Sequence, residues 1–361
     1  MLVQAMTQPG CIRRRTRQGL GAALLGLLAV LASLDLYAQT TVAGASVKPS
    51  AASAVAGVPV RSVSEWLLRM HQASVRRAYI GTYVVSSQGQ LSSAKIWHVC
   101  DGNQQMERVE ALTGAPKSTF RHNDQVITFL PAARVAQVEN RTTLGMFPGL
   151  LASADAKVDE HYAATRSANE RVAGVEAEVV HLRPKDEWRF GYRLWVESGS
   201  GLVVKMQTLD GAGAVLEQMA FSELLLGAPV KMERLAQMMA NTEGYRVEKV
   251  DVQATSADAE GWAMRRAVDG FKSMSCLRRQ GGSDASGRPA PTMQWIFSDG
   301  LASVSLFIEP FDAQRHALEG SVAQGATRTF TKRQQDWWVT AVGEVPLQTL
   351  QAFVGNLART R

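Results

Sequence analysis

The side chains able to do chemistry are scattered along this chain rather than grouped. Six histidines occur, His71, His98, His122, His161, His181 and His316, and none stands in an HExxH or other metal-ligand spacing. Each reads as a surface imidazole or one bonded within the fold. No GxSxG elbow presents a nucleophilic serine. Gly211 and Gly213 form a Gly-x-Gly pair, but no third glycine follows in register and the turn joins two strand-like runs, which argues against a phosphate cradle. The adjacent acids Asp159-Glu160 and Asp186-Glu187 have the pattern of solvated turns. No catalytic constellation, metal site or cofactor follows from these residues, although a dispersed triad would leave no local trace.

Binding chemistry is better represented. Tyr83, Trp97, Trp195 and Met206 fall on strand-like runs, where a curved sheet closed by a helix could enclose an apolar cavity, and aromatic and Met side chains would line it adaptably for lipid. The alternative for all four is plain core. Trp337 and Trp338 are adjacent in a strand and must point to opposite faces. One can be core; the other needs a cover, from within the protein or from a partner. The basic pairs Arg265-Arg266 and Arg278-Arg279 suit anionic headgroups or an acidic peptide, or simply a solvated face.

The elements that would position these residues are mostly strands. Ser62 and Glu65 have capping-box spacing, and Val63, Trp66, Leu67, Met70 and Ala73 recur at helical spacing, which predicts one amphipathic helix of about four turns. Strand-like runs follow at 79–86 and 91–99, around the hairpin turn Ser87-Gln88-Gly89-Gln90, and then at 106–112, 118–122, 125–130 and 135–140. Their links are too short for parallel crossovers, so they form an antiparallel meander. A break, helical in character, lies at 144–151. Strands resume at 175–182, 192–197, 202–209 and 215–221, the last three separated by the strong turns Ser198-Gly199-Ser200-Gly201 and Asp210-Gly211-Ala212-Gly213. Nine or ten strands would curl, with the helix covering the concave face. Leu226-Gly227-Ala228-Pro229 marks a domain boundary and hinge. Beyond it the pattern is α+β: a strand at 245–252, hairpins at 294–309 and 327–342, and a terminal amphipathic helix from Leu347 to Leu357.

At 361 residues the chain has room for two domains, and 46% hydrophobic with 20% charged residues can bury a core for each. Its N-terminus reads as a secretory signal over 1–38, with an uncleaved N-terminal anchor as the alternative: Arg13, Arg14, Arg15 and Arg17, an apolar stretch from Leu20 to Leu34 followed by Asp35, and a passable cleavage site at Ala38. Residues 39–60, rich in Ala, Ser, Val and Gly, read as a disordered lead-in. The signal carries four Arg and one Asp, so half of the net charge of +6 leaves with it, and the remaining +3 is no footprint for nucleic acid. Export places Cys100 and Cys276 in an oxidising compartment, where either a disulfide or two free thiols is compatible with their spacing.

Taken together, several segments resemble the MucB/RseB family. In the first domain they are Gly81-Thr82-Tyr83-Val84-Val85, Lys95-Ile96-Trp97-His98 and Glu107-Arg108-Val109. In the second they are the run from Ser298-Asp299-Gly300 to Ile308-Glu309, Gly325-Ala326-Thr327, and Val339-Thr340-Ala341-Val342-Gly343-Glu344-Val345-Pro346. The resemblance spans about residues 61–358. It implies a LolA-like half-open antiparallel β-barrel covered by helix (61–226), then a smaller α+β domain (227–361). It further implies a periplasmic protein, not an enzyme, that binds the periplasmic segment of a single-span anti-sigma factor of RseA/MucA type. Binding shields that segment from a membrane-anchored protease until lipopolysaccharide or another mislocalised lipid releases it. Trp337, Trp338, Arg265, Arg266, Arg278 and Arg279 are then candidates for partner contact. A homo-oligomer stays open, and so does a lipid or lipoprotein carrier with no role in sigma-factor control.

Overall fold

A computed structural model describes residues 61–102, 104–140, 157–250, 252–283, 289–316 and 318–360. The expected signal, the lead-in and the break at 144–151 lie outside the described residues.

Helix α1 (Val63–Arg76) begins at the expected capping box. The Ser62 hydroxyl accepts the Glu65 N–H, and the Glu65 carboxylate accepts the Ser62 N–H in return. Its buried stripe consists of the five residues read from the periodicity, Val63, Trp66, Leu67, Met70 and Ala73. Strands β1 (Tyr79–Ser87), β2 (Gln90–Asp101), β3 (Gln104–Ala111), β4 (Ser118–His122), β5 (Gln125–Leu130) and β6 (Val135–Asn140) then form a continuous antiparallel meander. Its first turn places Gln88 and Gly89 at φ 50 and 77, the left-handed pair that a two-residue hairpin needs. After the single turn α2 (Val158–His161) come β7 (Tyr162–Val172), β8 (Val175–Pro184), β9 (Gly191–Glu197), β10 (Val203–Leu209) and β11 (Val215–Leu226), and β11 closes back on β1.

The sheet does not end there. Helix α3 (Met232–Ala240) packs Leu235 and Met239 on Val99, Met106, Phe120, Ile127 and Phe129, and β12 (Arg246–Lys249) adds in parallel beside β6. The full order is β12-β6-β5-β4-β3-β2-β1-β11-β10-β9-β8-β7. The sheet bends upon itself: Val172 and Val175 at the β7–β8 turn join the same apolar cluster as Tyr83 of β1 and Phe221 of β11, although β10 and β9 lie between β11 and β8 in the sheet. Helix α1 covers the β7–β10 part, burying Trp66 and Leu67 with Tyr192, Leu194 and Val196. The result is the expected half-open barrel, with a second covering helix on the meander. Residues 227–249 thus belong to this sheet by packing. Gly227 itself is tied down, its N–H bonding the Ala78 carbonyl. The first sheet continues to Lys249 and the second begins at Val252, so the passage between sheets lies beyond the Leu226–Pro229 stretch singled out by composition.

The second module holds β13 (Val252–Thr255), β14 (Trp262–Met264), β15 (Lys272–Ser283), β16 (Pro289–Ser298), β17 (Ser303–Pro310), β18 (Gly320–Gln324), β19 (Thr327–Gln334), β20 (Trp337–Gly343), α4 (Leu347–Asn356) and β21 (Leu357–Arg359). Seven of these strands make one antiparallel sheet, β13-β15-β16-β17-β20-β19-β18, and β14 pairs with β21 beside it. Helix α4 buries Leu350, Phe353 and Val354 against Val304, Leu306, Val339 and Ala341. Cys100 and Cys276 are both free thiols. Burial pushes Cys276 up to about 11, so it packs as a small apolar group. Among the described residues no helix is long and apolar enough to cross a membrane.

Candidate functional site at the junction of the modules

The loop between β8 and β9 carries the most deeply buried charge described. Asp186 shapes that loop, accepting the Trp188 N–H and the Arg189 Nε–H, both at 3.0 Å. This aims the fully buried Arg189 guanidinium into the second module. There Nη1 donates to Asp299 Oδ2 at 3.1 Å and Nη2 to the Asp269 carbonyl at 2.7 Å. Asp299 heads the turn between β16 and β17, where its Oδ1 accepts the Leu301 and Ala302 N–H groups at 2.8 and 2.7 Å. The Tyr162 hydroxyl adds a fourth donor to the carboxylate, at 3.3 Å to Oδ2. Burial pushes Asp299 above the usual carboxylate range, while the Leu301 N–H and Arg189 pull it back down. The guanidinium also lies near the Phe271 and Tyr162 rings, 5.3 and 5.8 Å from their centroids. Gly270, at φ +77, makes room: a Cβ there would sit 2.8 Å from the Arg189 guanidinium nitrogens.

Helix α4 grips the same loop. Thr349 donates its hydroxyl to the Trp188 carbonyl at 2.7 Å, and Gln348 its amide to the Glu187 carbonyl at 2.8 Å. A second contact lies on the rim of the first sheet. The β18–β19 turn seats Gly325, at φ +60, against Ser87 and Glu217, where a Cβ would overlap both side chains. The Glu217 carboxylate takes the Ala326 N–H and the Ser87 hydroxyl, and burial, reinforced by Glu344, pushes it up. Gln88 donates to the Ala323 carbonyl at 3.0 Å.

The residues expected to bind lipid do not gather. Tyr83 and Trp195 share one apolar cluster, Met206 packs against the α1 cluster, and Trp97 lies with a third under α3. Each is engaged locally. Tyr83 meets Phe221 edge-on at 6.1 Å, and Trp195 donates its indole N–H to Glu170 at 2.8 Å with the Lys205 ammonium 4.0 Å from its ring. Trp97 carries the Arg108 guanidinium at 4.7 Å.

The partner candidates separate in the same way. Trp337 and Trp338 do face opposite sides, and both are covered from within: Trp337 by Trp262, edge-on at 5.4 Å, and Trp338 by His316, stacked at 4.9 Å. Arg278 is held by Glu260 at 2.8 Å, and Arg279 donates to Gln294 at 2.7 Å. Arg265 and Arg266 are exposed. His161, Asp186 and Asp269 bring three donor atoms within 4.8 Å of one another at the junction. Asp186 is already engaged by Arg189, whose charge opposes a cation there, so this donor set does not fit a metal.

Residue types alone missed the junction. Asp186 is half-buried and structural rather than a solvated turn residue, and Arg189 stands in no motif. The usable signal lay in the resemblance: Asp299 and Gly325 both fall in the second-domain segments that carry it, and both are where that domain touches the first.

Known proteins align with both modules. Residues 62–239 match the MucB/RseB N-terminal domain family and residues 256–358 the MucB/RseB C-terminal domain family. The sigma factor AlgU regulatory protein MucB of Pseudomonas aeruginosa is 30% identical over 308 residues, covering 82% of this chain and 91% of that protein. The sigma-E factor regulatory protein RseB of Escherichia coli K12 is 20% identical over 297 residues, covering 81% and 89%. A crystal structure of MucB in complex with MucA(peri) superposes with a TM-score of 0.62 at 25% identity, over 82% of this chain and 99% of that one.

Proposed function

The chain belongs to the MucB/RseB family, and from that premise we propose that it is a periplasmic sigma-factor regulatory protein. It binds the periplasmic segment of a single-span anti-sigma factor and shields that segment from regulated proteolysis. It acts by occupancy, not by catalysis. The observation that carries this reading is the likeness across both modules to a MucB whose solved structure holds MucA(peri). Of the six candidates for partner contact, Arg265 and Arg266 are the most exposed, and Arg278 keeps part of its side chain at the surface beside Glu260.

The physics of the role is modest. A protease must engage an extended stretch of chain, and a binder that orders the same stretch removes it from reach. The ordering entropy weakens binding per unit area and keeps it reversible. An amphiphile, lipopolysaccharide or another mislocalised lipid, releases the partner only through unequal affinity for the bound and free arrangements. The fixed junction gives such a ligand something to act on.

Calorimetric titration of the mature chain with the periplasmic segment of its anti-sigma factor tests the reading. Saturable one-to-one binding is expected, weakened when lipopolysaccharide is added. Absence of binding overturns it; binding indifferent to lipid removes the release step. A chain that retains lipid and ignores the segment is a carrier.

A further inference from the structure

The geometry points to the free edge of β18 as the place where an extended peptide segment, apolar at alternate positions and acidic between them, adds as a further strand of the second sheet. This rests on the regulatory reading and deepens it: the segment is that of the anti-sigma factor, and the edge is where it is held.

β18 ends the second sheet and pairs with β19 alone. The two strands run without a register shift, and all five residues from Gly320 to Gln324 are exposed. Such an edge presents a row of N–H and C=O groups with no partner strand, and proteins blunt it with charge, proline or a bulge. The edges of the first sheet show these devices. β7 carries Arg166, Glu170 and Arg171 and a register shift between Ser167 and Glu170. β12 holds Arg246, Glu248 and Lys249 within four residues. At the other edge of the second sheet, β13 is four residues long, and Thr255 at its end is half-buried and bonded to Glu260. The Gly-Ser-Val-Ala-Gln of β18 has no charge, no proline and no bulge.

The outward groups can be identified. The Leu318 and Gly320 carbonyls turn inward, each 3.4 Å from the Thr331 hydroxyl of β19. Groups alternate along an antiparallel strand, so those of Glu319, Ser321 and Ala323 turn outward. The first module already uses one of them. Gln88 donates its side-chain amide to the Ala323 carbonyl at 3.0 Å, the bond that an added strand's N–H would make. An extended chain sets donors and acceptors at the spacing of the remaining groups.

The side chains specify the occupant. Leu318 and Val322 share one face of the strand and stand 83% and 54% exposed. On the other face, with Ser321 and Ala323, the register places Phe330 and Arg328 of β19, and Lys332 follows on that face. From Gly320 to Gln334 the hairpin carries Arg328, Lys332 and Arg333 and no acid. Asp210 lies within electrostatic reach of Arg328, and the Glu319 carboxylate is spent on the Arg333 N–H. The exposed Lys332 has no partner among the described residues. Apolar side chains on one face of a segment and an acid on the other match this edge, whereas a second copy of the hairpin brings like charge to it. The edge is also continuous with the junction, since Gly325 in the turn after β18 is the residue seated against Ser87 and Glu217.

The test is a calorimetric titration of the mature chain with the periplasmic segment of its anti-sigma factor, repeated with Ser321→Pro. The Ser321 N–H turns outward, so proline there spares the β18–β19 ladder and removes one rung of the added strand. A thermal melt checks the fold. Binding is expected to weaken at least about tenfold. Synthetic segments that each carry one N-methyl amide leave the chain itself untouched. Over the bound stretch, methyl groups at alternate positions should abolish binding and those between should not. Segment binding unchanged in Ser321→Pro, or N-methyl losses without that alternation, overturns the edge assignment and leaves the regulatory reading standing. So does a wild-type dimer, seen by sedimentation, that Ser321→Pro dissolves while segment binding persists; the edge would then belong to a second copy. A wild-type chain that does not bind the segment overturns the regulatory reading and this assignment with it.

Discussion

Two of the contacts between the modules use opposite chemistry. At the β8–β9 loop a buried guanidinium meets a buried carboxylate with two rings close by. At the sheet rim a glycine turn fits against half-buried side chains, and its bonds run mostly through backbone groups. A buried ion pair of this kind is strongly coupled, since losing either member strands the other in a low dielectric. The rim contact depends on shape, and its one carboxylate, the half-buried Glu217, keeps the Ser87 hydroxyl of its own module if the turn slips. The first is suited to be the switch and the second the guide.

That contrast can be broken most severely at Asp299. Asp299→Ala should cost about 3–5 kcal/mol by leaving the buried Arg189 with the half-buried Asp186 as its remaining carboxylate partner, and calorimetric unfolding should split from one transition into two. Arg189→Met together with Asp299→Leu should recover most of the loss; no recovery would mean that the charge is not the reason. At the rim, Gly325→Ala forces a Cβ into Glu217 and Ser87 at a left-handed φ, a loss of about 1–2 kcal/mol without splitting the transition. Thr349→Val removes one bond to the Trp188 carbonyl and should cost about 1 kcal/mol, read as a shift in denaturant midpoint.

A pH titration sharpens the comparison from outside the junction. Burial pushes Glu107 in β3 up to about 7, against the lowering pull of Arg121. The folded state therefore holds this proton more tightly than the unfolded chain. Its contribution is complete below about 4.5 and is lost as pH rises through about 7. Wild type should lose melting temperature over that window relative to Glu107→Gln while still unfolding in one transition. A split transition would place the pH sensitivity at the junction instead.

Much of the fold was legible because local and tertiary demands coincide. The capping box and apolar stripe of α1 fixed its start and its buried face. The left-handed pair Gln88-Gly89 and the glycine turns after Glu197 and Leu209 fixed hairpins. The missed elements lack such agreement. β7 is an edge strand, exposed over most of its length, so Tyr162–Val172 shows no alternation. β15 carries Arg278-Arg279 in its interior, which reads as surface until Glu260 is seen beside it. α3 follows Pro229, where composition suggests a boundary, yet it is the lid of the first sheet. The run 245–252, read as one strand, is divided between two sheets. The junction was the least legible, because Arg189 and Asp299 lie 110 positions apart and acquire meaning only through burial.

The central claim is occupancy of a protease substrate. Cleavage of the anti-sigma factor's periplasmic segment by its membrane-anchored protease, timed with and without the purified mature chain, tests it most directly. The wild-type chain should slow cleavage in proportion to the fraction of segment bound, and Asp299→Ala should protect less. Equal cleavage rates at a concentration where the segment is saturated would contradict it.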